Sequence, residues 1–424
     1  MSSKLDGVVY VETIYKFDDG TLFEVHQYII ISLLVVLCSS IFLNITKMKL
    51  RSLIFLATTL LVGSAAAATI PHAATTTATL TIPVGTVVGS VINNVEYYRG
   101  IPYAQSPTGP LRLKPPVTLS TIGTVDATGV GPACPQVANV DSSPLFFEVL
   151  QNPSVVEALF FGSALGDVTE DCLTISVMRP QDTPSDAKLP VLFWMFGGGF
   201  QLGSAQPYNG SVLIPRAVAQ GKPFILVSIN YRIGGFGFLG GKEVLADGAA
   251  NLGLLDQRMA LEWVADNIAA FGGDPDAVTI WGESAGAMSV FDQLALYDGD
   301  NTYKGRPLFR GAIMNSGSTT PTEPVDGAKA QEIFDAVAEA ANCSSVPSSE
   351  KLECLRQLDF ETYANATTNV PSFMGYNALS LSYVPRPDGR VLTASPDILA
   401  KTGKYAAVPM IVGIQENEVS EDSD

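Results

Sequence analysis

Short apolar runs alternate with amphipathic stretches through the middle of the chain. Buried parallel strands are continuously apolar, whereas helices that cover a sheet repeat their apolar positions every three to four residues. Strand-like runs occur at 190–196, 224–231, 278–281, 308–314 and 408–413. Helix-like stretches occur at 254–271, 287–296 and 325–341. This alternation predicts one α/β domain with a central, mostly parallel sheet.

Further strand-like and apolar segments precede this alternation. Residues 80–90 contain a Pro-Val-Gly turn and predict an N-terminal β-hairpin arm, and 170–177 is predicted to begin the central sheet. Residues 144–161, between Cys134 and Cys172, are apolar at helical spacing. A core helix and a mobile apolar flap both fit that segment.

One sharp turn carries the strongest chemical signal of the sequence. The strand-like run 278–281 leads into Gly282-Glu283-Ser284-Ala285-Gly286, and a helix-like stretch follows. A strand, a turn with serine at its apex and a helix form the nucleophile elbow of the α/β-hydrolases. Small neighbours let the strand and the helix approach each other while the serine is held in strained geometry. We therefore predict that Ser284 is a nucleophile and that the backbone N–H of Ala285 points at a developing oxyanion.

A second glycine cluster predicts further oxyanion donors. The Gly197-Gly198-Gly199 loop follows the apolar run 190–196, upstream of the elbow, where this fold places its oxyanion loop. Glycine brings backbone N–H groups close to a substrate without an intervening side chain.

A serine nucleophile also needs an orienting acid and a base. Glu416 and Glu418 follow the last strand-like run and are both candidates for the acid, whereas Glu283 adjoins the nucleophile and diverges from it. The chain order in this fold is serine, acid, histidine. No histidine follows Ser284, because the sequence contains only His26 and His72. We expect neither of these to be catalytic.

Charge excludes one class of partner. The 424 residues carry a formal net charge of −17, with 42 acidic and 25 basic side chains. Nucleic-acid binding requires clustered lysine and arginine, so we expect no nucleic-acid partner.

Two hydrophobic runs near the N-terminus give predictions about where the protein is located in or outside the cell. Residues 28–45 are uncharged and long enough to span a bilayer. Residues 48–68 have the basic start, apolar core and small-residue end of a secretory signal peptide. In the favoured interpretation 1–47 is an extension outside the mature, secreted protein, and in the alternative the first run anchors the protein in a membrane. We divide the rest into a Thr-rich lead-in at 69–79 and the enzyme domain at 80–424.

Secretion would permit two covalent modifications. Glycosylation sequons begin at Asn209, Asn342 and Asn365. The chain has five cysteines, and only Cys38 precedes the predicted domain. An oxidising compartment allows the other four to form disulfides.

Several motifs together resemble the type-B carboxylesterase/lipase family, the cholinesterase-like α/β-hydrolases. Within it, the chain is most similar to secreted fungal lipases of the Candida rugosa and Geotrichum type, from residue 80 to the C-terminus. The family motifs are Arg99-Gly100-Ile101-Pro102-Tyr103-Ala104, Glu170-Asp171-Cys172-Leu173, Phe196-Gly197-Gly198-Gly199-Phe200, Asn251-Leu252-Gly253-Leu254-Leu255-Asp256-Gln257, Phe271-Gly272-Gly273-Asp274-Pro275 and the elbow itself. The motifs of the fungal branch are Asp298-Gly299-Asp300-Asn301-Thr302-Tyr303-Lys304-Gly305 and Tyr383-Val384-Pro385-Arg386-Pro387-Asp388-Gly389.

The resemblance implies a role for each matching position. Ser284 would be the nucleophile and Glu418 the acid of a catalytic triad, with Gly198, Gly199 and Ala285 as the oxyanion hole. Disulfides would join Cys134 to Cys172 and Cys343 to Cys354, and the first would tether a lid over the acyl pocket. The implied substrates are long-chain acylglycerols or related esters. The lid would give the enzyme access to substrates at an oil–water interface. Neither a metal nor a cofactor is implied.

The sequence departs from the family pattern after the last strand-like run. Val419 follows Glu418 where the family has glycine, and the sequence stops at Asp424, before the position of the family's histidine loop. We therefore expect the last part of the fold to be absent and Ser284 to lack its base, which would leave this chain inactive. A non-catalytic cholinesterase-like binding module and a truncated gene product are the alternatives. The sequence does not predict acyl-chain preference or oligomeric state.

Overall fold

The computed structural model describes residues 4–5, 8–16, 22–29, 76–137, 167–371 and 381–415. Several predicted features therefore lie outside the described residues: most of the hydrophobic run 28–45, the signal peptide, His72, the flap at 144–161, Glu416 and Glu418. The chain divides into two compact units, Met1–His72 and Ala73–Asp424, which we treat separately.

The first unit contains a small antiparallel sheet with the strand order β1-β2-β3. Its strands are β1 (Lys4–Leu5), β2 (Val8–Lys16) and β3 (Leu22–Ile29). His26 lies in β3, opposite Glu12 of β2. None of the helices in the described ranges is long and apolar enough to cross a membrane.

The second unit is built on one large sheet with the strand order β15-β14-β11-β9-β10-β8-β6-β5-β4, to which β7 is added beside β5. The strands from β15 to β10 run parallel, and β8, β6, β5 and β4 continue the sheet in antiparallel pairs. The strands are β4 (Thr76–Ile82), β5 (Gly85–Ile92), β6 (Val95–Pro102), β7 (Gly123–Asp126), β8 (Thr174–Pro180), β9 (Leu189–Met195), β10 (Ile225–Ile229), β11 (Gly273–Glu283), β14 (Gly311–Asn315) and β15 (Met410–Gly413). A separate hairpin pairs β12 (Thr302–Tyr303) with β13 (Arg306–Pro307).

Helices cover this sheet. Their bounds are α1 (Leu213–Ala219), α2 (Gly234–Gly237), α3 (Lys242–Asp247), α4 (Leu252–Asn267), α5 (Ala285–Ala295), α6 (Ala328–Ala340), α7 (Ser348–Gln357), α8 (Phe360–Thr368) and α9 (Pro396–Thr402). Single 3₁₀ turns occupy Gly109–Leu111, Ile268–Phe271 and Leu296–Gly299. Every residue of β10 is buried, as expected for a strand that has neighbours on both sides and helices on its faces.

The structure confirms the α/β-hydrolase fold and a strand or helix in each alternating segment, with ends that differ by a few residues. Three local features differ from the prediction. The hairpin arm is part of the main sheet, because β5 pairs with β6 and β6 pairs with β8. Strand β4 begins at Thr76, inside the Thr-rich lead-in, where β-branched threonines pair with β5. Most of α7 lies between Cys343 and Cys354, where the sequence pattern identified no helix.

Both disulfides implied by the family resemblance are present. Cys134 pairs with Cys172, and Cys343 pairs with Cys354. Next to the first disulfide, the N–H of Ala133 donates to the Asp167 carbonyl (2.8 Å), and the N–H of Thr169 donates to the Ala133 carbonyl (3.0 Å). Residues 133–134 are therefore tied to residues 167–172.

Buried ion pairs join one loop to a helix and two other loops to each other. The guanidinium of Arg232, which follows β10, donates to both carboxylate oxygens of Asp256 in α4 at 2.8 and 2.7 Å. Asp256 is 0% and Arg232 2% exposed. Arg112 makes a similar two-point contact with Glu170, at 2.6 Å for each bond. Because both partners of each pair are removed from water, either charge would be costly to bury alone.

We predict that Asp256→Ala destabilises the fold by about 3–5 kcal/mol, since it leaves the buried Arg232 guanidinium uncompensated. Asp266→Ala is the control, because Asp266 pairs with Lys304 at 2.9 Å on the surface, where their side chains are 36% and 64% exposed. Surface pairs contribute about 1 kcal/mol or less. Urea unfolding of both variants measures the difference, and equal losses would contradict the prediction.

Candidate active site

Ser284 occupies the sharp turn between β11 and α5. Its backbone angles are φ 54° and ψ −125°, which a residue with a side chain rarely adopts. Hydrogen bonds on both sides hold this conformation: the N–H of Ser284 donates to the Asn315 carbonyl at 2.9 Å, and the N–H of Met288 donates to the Ser284 carbonyl at 3.0 Å. The serine is half-buried at the N-terminus of a helix, where the helix dipole favours negative charge.

The turn is so tight that only glycine fits at Gly282, Gly286 and Gly317. A Cβ atom on Gly282 would lie 2.3 Å from the Gly286 carbonyl oxygen, and one on Gly286 would lie 2.2 Å from the Met195 carbonyl oxygen. On the neighbouring strand's loop, a Cβ atom on Gly317 would lie 2.6 Å from the Ser284 carbonyl oxygen. These distances are far below van der Waals contact, so the glycines are required by packing.

The glycine loop after β9 lies directly against the elbow. A Cβ atom on Gly197 would lie 2.5 Å from the Glu283 carbonyl oxygen and 3.0 Å from the Cβ atom of Ser284. Gly198 and Gly199 have φ angles of 116° and 62°, in the region that favours glycine. The structure thus places Gly198, Gly199, Ser284 and Ala285 in two adjoining turns.

Aromatic and amide contacts fix the position of this loop. The ring of Tyr231 stacks on Phe196 with 4.3 Å between centroids, and its hydroxyl donates to the Phe196 carbonyl at 2.7 Å. Burial raises the pKa of Tyr231 well above its ordinary value, so the hydroxyl remains a donor. Further along, the side chain of Gln136 donates to the Gly203 carbonyl (3.0 Å) and accepts from the Gly203 N–H (2.6 Å).

The predicted acid would follow β15 at the same edge of the sheet. Glu283, Asn315 and Gly413 are aligned in the register of β11, β14 and β15. The N–H of Ser316 also donates to the Gly413 carbonyl at 2.7 Å. The chain therefore leaves the sheet beside the elbow, and the role of Glu418 stays a prediction. Glu283 itself is exposed at the end of β11.

A buried acidic residue close to the elbow was not anticipated from the sequence. Asp292 lies in α5, eight residues after Ser284, and is only 3% exposed. Burial raises the pKa of its carboxyl from 3.8 to about 8. The sequence contains a signal for this burial. Asp292 follows Ser284 and Met288 at helical spacing and has apolar neighbours in the same helix.

The remaining predicted sites are surface positions. Asn209, Asn342 and Asn365 are all exposed, as glycosylation requires, and their modification stays a prediction. Within the described ranges, no group of three or more His, Cys, Asp or Glu side chains could hold a metal ion.

Comparisons with known proteins agree on one family. The sequence model of the carboxylesterase family matches residues 76–422. The secreted triacylglycerol lipase LIP1 of Gibberella zeae is 55% identical over 343 residues, which are 80% of this chain and 57% of that protein. The solved structure of Aspergillus niger EstA aligns with a TM-score of 0.64 at 32% identity, over 79% of this chain and 59% of that one.

One relative is named as inactive, unlike the lipase and the esterase above. The inactive carboxylesterase-like protein VdtD of Byssochlamys spectabilis is 33% identical over 345 residues, covering 79% of this chain and 55% of that protein. The chain thus spans less than two thirds of the length of each of these proteins.

We predict that Gly286→Ala destabilises the fold by about 1–3 kcal/mol or more, because its methyl group would overlap the Met195 carbonyl. Gly129→Ala is a matched control, since nothing lies within 4 Å of a Cβ atom there and its φ is not positive. Thermal unfolding of the two variants and the parent measures the effect. The packing argument fails if Gly286→Ala unfolds at the parent temperature.

We also predict a pH-dependent stability difference for Asp292→Asn. The folded-state pKa of Asp292, about 8, lies above the ordinary value of 3.8, so the folded chain binds this proton more tightly than the unfolded chain. The resulting stabilisation is complete below the lower pKa and is lost as the pH rises through the higher one. Asparagine cannot ionise and does not lose this stabilisation. The stability of the variant relative to the parent should therefore increase as the pH rises from the lower pKa to the higher one.

Urea unfolding at pH 4, 6 and 8 tests this expectation, with the exposed Asp326→Asn as control. Parallel pH profiles for the parent and Asp292→Asn would show that Asp292 ionises as freely in the folded chain as in the unfolded one.

Proposed function

The chain belongs to the carboxylesterase family, and from that premise we propose that it is the Ser284-bearing part of a secreted serine carboxylic ester hydrolase, a lipase or esterase. The observation that carries the proposal is the strained backbone of Ser284, at φ 54° and ψ −125°, directly against the Gly197–Gly199 loop. A protein that only binds a partner has no need of this geometry, which costs on the order of 1–3 kcal/mol to maintain.

In the proposed reaction the Ser284 hydroxyl oxygen adds to the ester carbonyl carbon and its proton passes to a base. The N–H groups of Gly198, Gly199 and Ala285 would stabilise the negative charge that develops on the carbonyl oxygen. Collapse of this intermediate releases the alcohol, which takes up the proton, and leaves the acyl group on Ser284. Water then hydrolyses the acyl-enzyme by the same sequence of steps.

No histidine lies among the described residues of Ala73–Asp424. No histidine follows Ser284 in these 424 residues, and His26 and His72 both precede β4. We therefore expect hydrolysis to require a histidine supplied from beyond residues 1–424, with Glu418 as the acid that orients it. No cofactor takes part in this scheme.

An acylglycerol or related ester is the proposed substrate. Its acyl pocket would be covered by the apolar flap at 144–161, which lies in sequence between the two cysteines of the Cys134–Cys172 disulfide. Such a lid would open at an oil–water interface. The family relatives that are named as secreted support a secreted location, with the membrane-anchored form as the alternative.

A non-catalytic role is the second candidate. It is favoured by the relative that is named as inactive. A truncated gene product is a third possibility that the same experiment addresses.

The test compares the hydrolysis of p-nitrophenyl esters by three proteins: the 424-residue chain, a chain extended along the reading frame past Asp424 to include a downstream histidine, and the extended chain with Ser284→Ala. We expect the extended chain to be active and Ser284→Ala to lower its turnover on the order of a million-fold, as loss of a triad member does in a serine protease. We expect the 424-residue chain to match the Ser284→Ala level.

The outcomes separate the candidates. A folded, extended chain without ester hydrolysis would sink the enzyme proposal in favour of a binding module. A stop codon directly after Asp424, together with a folded but inactive 424-residue chain, would identify a truncated product.

A further inference from the structure

A small cavity lies along α5, next to the elbow. Met288 and Asp292 form one side of it, and Phe200, which follows the Gly197–Gly199 loop, forms another. Ser284, Met288 and Asp292 are four residues apart in sequence, so they lie on one face of the helix. At about 1.5 Å rise per residue, Asp292 is about 12 Å beyond the serine along that face. The cavity is thus lined both by the helix that begins after Ser284 and by the residue that follows the glycine loop.

The walls of this cavity are mainly apolar, but polar groups face it from two sides. Val384, Pro385 and Pro396 complete the apolar lining. Asp292 contributes a carboxyl from α5, and Thr320 and Thr322 contribute hydroxyls from the loop after β14.

Two of these polar groups lack a partner within the described part of the chain. The buried Thr322 hydroxyl oxygen has no hydrogen bond. Asp292 is 3% exposed, and neither a charge nor a hydrogen bond from a described residue offsets the burial of its carboxyl. Buried polar groups are nearly always satisfied by protein, water or ligand, so an unpaired carboxyl and an unpaired hydroxyl in one cavity point to a polar occupant.

The state of the carboxyl restricts what that occupant can be. Burial is the cause of the raised pKa of Asp292, and no charged neighbour contributes to the shift. At acidic and neutral pH the group is therefore a neutral carboxylic acid, which both donates and accepts a hydrogen bond. A hydroxyl group also does both, whereas a charged ligand group would have to be desolvated without a counter-charge.

We propose that Asp292 and Thr322 form a polar subsite of the acyl pocket that recognises a hydroxyl group borne by the acyl chain of the ester. This inference rests on the proposed ester hydrolase function and deepens it. An unsubstituted chain that reached this depth would leave both polar groups unpaired. A chain with a hydroxyl at the right carbon would satisfy them, so the pair determines specificity and takes no part in bond breaking.

The experiment measures binding rather than turnover, so it does not depend on the catalytic base. Dodecanoic acid and its positional monohydroxy isomers, which mimic the hydrolysed acyl product, are titrated calorimetrically into the full chain at pH 6. We expect one or two adjacent hydroxy isomers to bind about ten-fold more tightly than dodecanoic acid, because unpaired buried polar groups cost that order of affinity. The other isomers should bind no better than the unsubstituted acid.

Variants assign this preference to the subsite. Asp292→Leu should abolish it and bind dodecanoic acid more tightly, whereas Asp292→Asn, which still donates and accepts, should retain most of it. Ser289→Ala is the control on the same helix, since Ser289 bonds to Gln257 (2.9 Å) away from the cavity, and it should leave the preference unchanged. If Asp292→Leu does not fold, the isomer scan is carried out on the parent chain and on Asp292→Asn. These two scans still decide whether the proposed subsite recognises a hydroxyl group.

Fatty-acid binding with no preference for any hydroxy isomer would overturn the subsite and show a water-filled niche, while leaving the ester hydrolase proposal intact. A preference that survives in folded Asp292→Leu would also overturn it. Absence of any fatty-acid binding would overturn the subsite and count against the acyl pocket, whereas failure of ester hydrolysis with the preference intact would contradict only the hydrolase proposal.

Discussion

The close approach of three backbone segments around Ser284 is the constraint on which the rest of the structure depends. The end of β9, the turn after β11 and the loop after β14 meet at distances that exclude even a methyl group at Gly197, Gly286 and Gly317. The strained serine is stable only because its neighbours are fixed from every side. Glycine, the most flexible residue in the unfolded chain, is here held in a crowded part of the fold.

The sheet and its attachments supply that rigidity. Parallel pairing puts the carboxyl ends of β9, β11, β14 and β15 at one edge, so that each loop leaves the sheet close to the serine. The stacked Tyr231 and the Gln136 amide hold the glycine loop, and the buried pair of Arg232 and Asp256 ties the loop after β10 to α4. Each of these contacts joins segments that are distant in sequence, which makes the site a product of the whole fold.

The alternating pattern predicted the parallel half of the sheet well, because continuous apolar runs such as that of β9 have few alternative structures. It predicted the antiparallel half less well. The hairpin of β4 and β5 was identified, but its membership of the main sheet depends on β6, whose polar and glycine-containing sequence gave a weak strand signal. Helix α7 was missed because it is charged and short, and its stability comes from tertiary contacts and the Cys343–Cys354 disulfide.

The sequence by itself determined the elbow, the glycine loop and the family. The elbow and the glycine loop are local patterns, and the backbone geometry of each turn requires particular residue types. The family follows from these and similar local motifs. The tertiary structure alone decided that Gly197 lies against Ser284, since this contact joins two segments separated by many residues. It also decided that Asp292 is buried. Whether an acidic residue on a helix faces water or an apolar cavity depends on what packs against that helix, and no local pattern specifies this.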